Sequence, residues 1–334
     1  MELRTLAHAS AVGSALLLSA GALASVAVAA TAQQRPTTMA RAPGRDAKAA
    51  TFVFVTNNDG AVRAFPTSAS GNVAPARTIA GANTGIRFPT GIAVAPDGRL
   101  GVANVFNGNG EVHALTFAAK ANGNVAPLTA ISCGGTTVPL GAAFDSSGNL
   151  FITNGKNGDD ITVFTPSDNG CVSGNRIITS SSLGFPLGVH VDGTGTIYVA
   201  SQPGALLVFA PGTAGNATPI ATISGSNTGL SAPADVAVDA AGEIIVSDFS
   251  NVLIFPANAN GNVAPIRIIQ GANTGISGAN GVAVDAQGNI YVANTGANSV
   301  TVYANSANGN AAPIRTIAGS STALTAPYKL AVGP

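Results

Sequence analysis

The sequence predicts an all-β fold, a six-bladed β-propeller of four-stranded antiparallel blades, and three observations point to it. Residues 280–303 read as three short apolar strands separated by an Asp-x-x-Gly-Asn turn (Asp285 to Asn289) and a polar loop, and a fourth strand follows at Ile314 to Ile317. Strands this short, punctuated by Gly, Asn and Asp, are the signature of an antiparallel meander. The unit recurs: each first strand opens at Gly91, Gly141, Gly188, Asp235, Gly281 or Lys329, at intervals of 50, 47, 47, 46 and 48 residues. A period in the forties with four short strands per unit describes a propeller blade. Finally, the two ends of the repeat region complement each other. Thr51 to Ala80 supply only strands two to four of a blade and Lys329 to Gly333 only a first strand, so pairing the C-terminal strand with the N-terminal blade closes the ring and removes two exposed sheet edges.

Three columns hold the register. The second strand ends in Thr56-Asn57, Ala103-Asn104, Thr153-Asn154, Ala200-Ser201, Ser247-Asp248 and Ala293-Asn294. The third strand ends in an aromatic, Phe65, Phe117, Phe164, Phe209, Phe255 or Tyr303, and a glycine stands six residues after each. In the first strands, Ala93, Ala143, His190, Ala237, Ala283 and Ala331 alternate with Val94, Phe144, Val191, Val238, Val284 and Val332. Period-two alternation puts these two columns on opposite faces, with the small one allowing close approach near the axis and the larger one filling the space between blades.

The first fifty residues differ in kind. Arg4 precedes an uncharged run from Ala9 to Ala30 that ends Ala27-Val28-Ala29, which reads as a signal peptide over 1–30. The run is also long enough to span a bilayer, so an uncleaved anchor is the rival, and it is the one route to a membrane association. Residues 31–50 carry Pro36, Pro43 and four cations without an apolar period, a disordered linker leading to the propeller at 51–334. The expected location is therefore secreted, cell-surface or periplasmic. Charged residues make up 9% of the chain and the net charge is +0, which argues against a nucleic-acid partner, since that needs clustered cations.

Asn280 to Asn294, reading N-G-V-A-V-D-A-Q-G-N-I-Y-V-A-N, resembles the NHL-repeat family, whose unit opens Pro-x-Gly-Val-Ala-Val-Asp and continues Gly-x-Ile-Tyr-Val-Ala-Asp/Asn. The likeness runs from Thr51 to Pro334. It implies a six-bladed propeller, and it says little about activity, because similar propellers serve as ligand-binding ectodomains, RNA-binding modules, lactonases and lyases. The basic surface of the RNA-binding members has no counterpart here.

The loops joining strands two and three, and those joining one blade to the next, lie on one face. That face carries Asn57, Asn104, Asn154, Asp248 and Asn294 from the strand ends, and Asp235, Asn280 and Lys329 from the blade entries. One reading is a rim of amides that binds a protein, peptide or glycan without catalysis; the other is that Asn and Asp serve turn chemistry. Asp235 and Lys329 replace Gly at the channel mouth, and either contact a ligand or offset one another. His190 replaces Ala, so it either lines the channel or is absorbed by packing. The alternative is a metal-dependent enzyme like the lactonases or streptogramin lyases that the resemblance includes, using a divalent cation, with Glu111, His113 and His190 as its first candidates. A zinc site takes three or four clustered ligands, and the sequence displays no such cluster, so neither a cofactor nor a metal site is expected on the binding reading. No Gly-x-Ser-x-Gly, phosphate-binding Gly-Lys-Ser/Thr or His-Glu-x-x-His motif occurs.

Cys133 and Cys171 are the only cysteines. By register Cys133 follows a fourth strand, where other blades have Gly81 or Gly271, and Cys171 precedes one, in the column of Asn72 and Asn262. These are opposite ends of a blade, so a bridge between them, which export would permit, is expected to require an irregular blade.

Overall fold

Four of the six blades, the third to the sixth, begin from a hairpin whose turn is held by its own aspartate. Asp285 Oδ1 accepts from the backbone N–H of Gln287 and of Asn289, both at 2.9 Å, and Asp145, Asp192 and Asp239 do the same in their blades. The glycine that follows, such as Gly288 at φ 77°, supplies the left-handed residue the turn needs. A computed structural model describes residues 51–105, 112–133, 138–155 and 159–334; the expected signal segment and linker, 1–50, lie outside them.

Four-stranded antiparallel sheets form six blades in a ring. Blade 1 joins the two ends of the chain: Pro327–Gly333 is its inner strand, followed outward by Phe52–Asn57, Ala61–Pro66 and Arg77–Ile79. Blade 2 comprises Phe88–Val94, Leu100–Val105, Val112–Phe117 and Thr129–Cys133; blade 3, Val138–Phe144, Leu150–Gly155, Asp160–Phe164 and Arg176–Thr179. Blade 4 comprises Phe185–Val191, Ile197–Gln202, Ala205–Phe209 and Ala221–Ser224; blade 5, Asp235–Val238, Ile244–Asp248, Asn251–Phe255 and Arg267–Ile269; blade 6, Ala279–Val284, Ile290–Asn294, Ser299–Tyr303 and Arg315–Ala318. Closure is as the sequence predicts: Phe52 pairs with Gly333, Val53 with Val332, Phe54 with Ala331 and Val55 with Leu330.

The hydrophobic core lies between blades. One cluster joins Phe54, Val62 and Ile79 of blade 1 to Leu100, Val102 and Phe117 of blade 2; another joins Val53, Val55 and Phe65 of blade 1 to Tyr291 and Val302 of blade 6. The aromatic column is buried in every blade, and each such ring contributes roughly 1.5–3 kcal/mol by leaving water. Near the axis the closest approach falls two residues before the alanines. A Cβ on Gly141 would stand 2.4 Å from the Leu187 carbonyl oxygen, and one on Gly281 2.9 Å from Lys329 Cα, so inner strands of adjacent blades touch through these glycines.

A second set of contacts binds the blades at their outer edges. The isoleucine of each fourth strand makes a short parallel pairing with the glycine that follows the next blade's aromatic: Ile79 with Gly123, Ile131 with Gly170, Ile178 with Gly215, Ile223 with Gly261, Ile269 with Gly309 and Ile317 with Gly71. At several of these junctions the asparagine before the glycine adds a bond, Asn122 Oδ1 accepting from Thr78 N–H at 2.9 Å and Asn308 Oδ1 from Ile268 N–H at 3.0 Å.

Because every interblade layer depends on the ring being complete, a chain ending at Ala326 is expected to lose its cooperative unfolding transition. Leu330→Ala, which empties a buried position of the closing strand, is expected to cost about 2–4 kcal/mol, read from the urea midpoint.

Candidate functional site

The strand-end amides are turned into the protein. Asn57, Asn104, Asn154, Asp248 and Asn294 are all buried. Four of them pin the segment that enters their own blade. Asn104 Oδ1 accepts from Arg87 N–H at 2.7 Å, Asn57 Oδ1 from Thr325 N–H at 3.1 Å, and Asn294 Oδ1 from Ser277 N–H at 3.2 Å. Asp248 takes the N–H groups of Ser231 (2.9 Å) and Ala232. Asn154 instead donates to Asp160 Oδ1 (2.7 Å) and Thr162 Oγ1 (3.0 Å). A buried amide spent on backbone is unavailable to a ligand without losing that bond. These five shape the loop face and do not come together.

Asp235, Asn280 and Lys329 do come together, from three successive blades. The Lys329 ammonium lies 3.6 Å from Asp235 Oδ1 and donates to the carbonyl oxygens of Asn280 (2.8 Å) and Ala234. Asp235 Oδ2 accepts from Val282 N–H at 3.2 Å, and Asn280 Nδ2 donates to Thr295 Oγ1 at 2.8 Å. Burial pushes the Asp235 carboxyl above the usual carboxylate range and the Lys329 ammonium below its own, while each partner's charge opposes the shift. The pair is a polar plug at one end of the axial channel, a cavity of about 220 Å³ lined by the inner strands of all six blades. Of the two readings of these charges, mutual compensation is the one the geometry fits.

His190 lines the same channel. It pairs across the hairpin with Tyr198, the rings tilted with centroids 6.2 Å apart. Desolvation lowers it to about 4, against a smaller opposing pull from Asp192, so the imidazole is neutral around pH 7. Glu111 and the side chain of His113 lie outside the described residues; among those described, no three of His, Cys, Asp or Glu gather as a metal would require.

The feature that sequence reading passes over is Phe249. It stands in the loop after the second strand of blade 5, the residue 63% exposed and its backbone at φ 49°, in the left-handed region that a bulky residue rarely adopts. The backbone is clamped there: Ala279 N–H donates to Phe249 O at 2.7 Å, and Ser250 N–H to Asp248 O at 2.6 Å. Two neighbours in this loop region, Ser247 Oγ and Asn251 Oδ1, are buried polar atoms without a hydrogen-bond partner in the chain, where native proteins leave few. Ser247 pairs with Asp235, and Asn280 follows Ala279, so this loop adjoins the polar plug. The signal was present in the repeat: the equivalent residues are Asn58, Val105, Gly155, Gln202 and Thr295, and Phe249 alone among them is aromatic.

A ring of six four-stranded blades around a plugged axial channel is a six-bladed β-propeller. The NHL repeat family matches residues 277–303, the approach to blade 6 and its first three strands. Among solved structures the chain is similar to a protein of unknown function from Bacteroides caccae (TM-score 0.61, 9% identity, covering 85% of this chain and 98% of that one). It is similar also to a protein from Lactobacillus plantarum (TM-score 0.56, 15% identity, 80% and 82%). Virginiamycin B lyase from Staphylococcus aureus aligns at TM-score 0.47 and 13% identity over 66% of this chain and 68% of its own. Likeness at these identities concerns the fold alone. No curated protein matches the sequence.

Two outcomes check the channel. Lys329→Met strands a buried carboxylate and is expected to cost about 3–5 kcal/mol, more than half of it recovered in Asp235→Gly/Lys329→Met. Folded His190 binds its proton only near pH 4 while the unfolded chain binds it near 6.5, so stability falls as pH drops through that window. His190→Ala, the residue of the other five blades, is expected to remove about 1–3 kcal/mol of the loss between pH 7.5 and 4.5, a range that allows for the partial exposure of the ring.

Proposed function

We propose that the propeller is an exported, non-catalytic binding module that takes a glycan, or an uncharged peptide segment of a protein, on its loop face around Phe249. The observation that carries this reading is the exposed ring of Phe249 on a clamped left-handed backbone. Strain of this kind costs roughly 1–3 kcal/mol and persists where the surrounding structure enforces it, which is a feature of functional positions. An aromatic platform offers its face to the apolar side of a sugar or to a peptide side chain. The scarcity of charge on the chain suits a neutral ligand, since nothing in the composition concentrates one sign of potential.

The test is a glycan and peptide array probed with the full chain, followed by calorimetry on the hits. Phe249→Ala is expected to weaken the best ligand at least tenfold. Phe249→Gly is expected to weaken it as much while raising folding stability by about 0.5–2 kcal/mol, because glycine accepts the backbone without strain. If both variants bind as the parent does, the loop around Phe249 is not the site.

A further inference from the structure

At the end of the blades opposite the Phe249 loop, an arginine opens the fourth strand in four of the six repeats: Arg77, Arg176, Arg267 and Arg315, in blades 1, 3, 5 and 6. In blade 5 the guanidinium is matched by an acid. Arg267 Nη1 donates to the carbonyl oxygen of Asn305, two residues past the aromatic of the next blade, and Nη2 donates to Glu243 Oε2. Glu243 stands immediately before the second strand of the same blade, and the ion pair is partly buried. In blade 6 the acid is reached through a hydroxyl: Arg315 Nη2 donates to Tyr291 Oη at 3.2 Å, which donates to Asp285 Oδ2 at 3.1 Å.

Arg77 repeats the first bond of blade 5 and lacks the second. Its Nη1 donates to the carbonyl oxygen of Ala119, which stands two residues past Phe117 as Asn305 stands past Tyr303. The place of Glu243 is taken by Phe52: Val53 pairs with Phe65 as Ile244 pairs with Phe255, so the residue before each occupies the same point of its blade. The guanidinium carbon lies 4.3 Å from the centroid of the Phe52 ring and 4.9 Å from that of Phe54, contacts that fix a cation without neutralising it. Nη2 has no acceptor among the described residues and is not buried. Burial pulls the guanidinium below the usual arginine range, and no carboxylate opposes the shift. Beside it lies a cavity of about 470 Å³ walled by Phe52, Gly98, Ala119 and Pro334, with Arg77, Lys120 and Asp97 as its charged groups. Asp97 is held by Arg99, accepting from its N–H at 3.0 Å and its Nε at 2.6 Å. Lys120 is exposed and, among the described residues, forms no ion pair. The cavity therefore joins mostly apolar walls to two unmatched cations.

We propose that this cavity binds a small amphiphilic carboxylate, whose head group takes on Arg77 Nη2 the place that Glu243 takes on Arg267 and whose apolar body lies against Phe52, Ala119 and Pro334. Lys120 adds a second positive charge at the rim. A bare inorganic anion would meet the two cations and leave the apolar walls wet, whereas an apolar body covers them. The volume is that of a small-ligand pocket. The site stands between blades 1 and 2, at the opposite end of the blades from Phe249, and is independent of any binding there.

The full chain is titrated by calorimetry with octanoate, and with octanol as the uncharged analogue of the same length. Octanoate is expected to saturate one site with a Kd of about 1 mM or tighter, and octanol to bind roughly tenfold or more weakly for want of the charge-assisted bond. Arg77→Gln is expected to weaken octanoate roughly tenfold or more. Arg176→Gln, which removes the arginine stacked on Phe151 in blade 3, is expected to leave binding unchanged. Phe52→Glu installs the ion pair of blade 5, so the chain's own carboxylate takes the seat; octanoate binding is expected to disappear while Tm holds or rises. The proposal is overturned if octanoate gives no saturable heat, if octanol binds as tightly, or if Arg176→Gln weakens octanoate as much as Arg77→Gln does. It is overturned equally if Arg77→Gln, or a Phe52→Glu variant shown by circular dichroism to be folded, binds octanoate as the parent does.

Discussion

Everything in this protein depends on the pairing of Phe52–Asn57 with Pro327–Gly333. No blade buries its own faces: a four-stranded sheet has two apolar sides, and each is covered only by the neighbouring blade. Six such layers are complete only when the last blade meets the first, and the meeting is made by strands from opposite ends of the chain. An open array would expose the Val53, Val55 and Phe65 side of blade 1 together with the Tyr291 and Val302 side of blade 6. The closing strand thus acts on the whole ring, which is why a short C-terminal segment carries so much of its stability.

Polar groups are distributed to serve the same closure at three radii. At the axis, the Asp235–Lys329 pair ties blade 5 to blade 1 across blade 6 through the carbonyls of Ala234 and Asn280. At the loop face, buried Asn and Asp side chains hold the entry segments. At the perimeter, asparagines flanking the paired glycine fasten most blades to the next. A surface sparing in charge and a high content of Asn suit this construction, because an amide both donates and accepts and satisfies backbone groups without the desolvation cost of a charge. Against that background Phe249 is the exception, an exposed ring held on strained backbone where the other blades have an aliphatic or polar residue or glycine. It marks a place where local stability has been set aside.

Most of the fold was legible in the amino-acid order, and the candidate site much less so. Blade number, register, the aromatic column and ring closure all follow from spacing, since each is a repeated local pattern that needs only counting. The polar columns were legible as positions but not as roles. Asn104 and Asn294 fall on the loop face as the register requires, yet their amides point inward to Arg87 and Ser277, and side-chain direction at a strand end depends on the neighbouring loop rather than on the period. Ile131 and Gly170 illustrate the same limit. Register within one blade separates them, and only the lateral packing of one blade on the next pairs them.

The sequence by itself determined the architecture: six units, four strands each, and a ring latched by its own ends, because strand length, turn chemistry and alternation are local properties written once per repeat. Tertiary structure alone decided which polar residues meet. Asp235 and Lys329 are almost a hundred positions apart in the chain and 3.6 Å apart in space, and the bare ring of Phe249 acquires meaning only from the clamp that Ala279 puts on its backbone. Such meetings depend on how separate blades are turned toward one axis, and no periodicity along the chain encodes that.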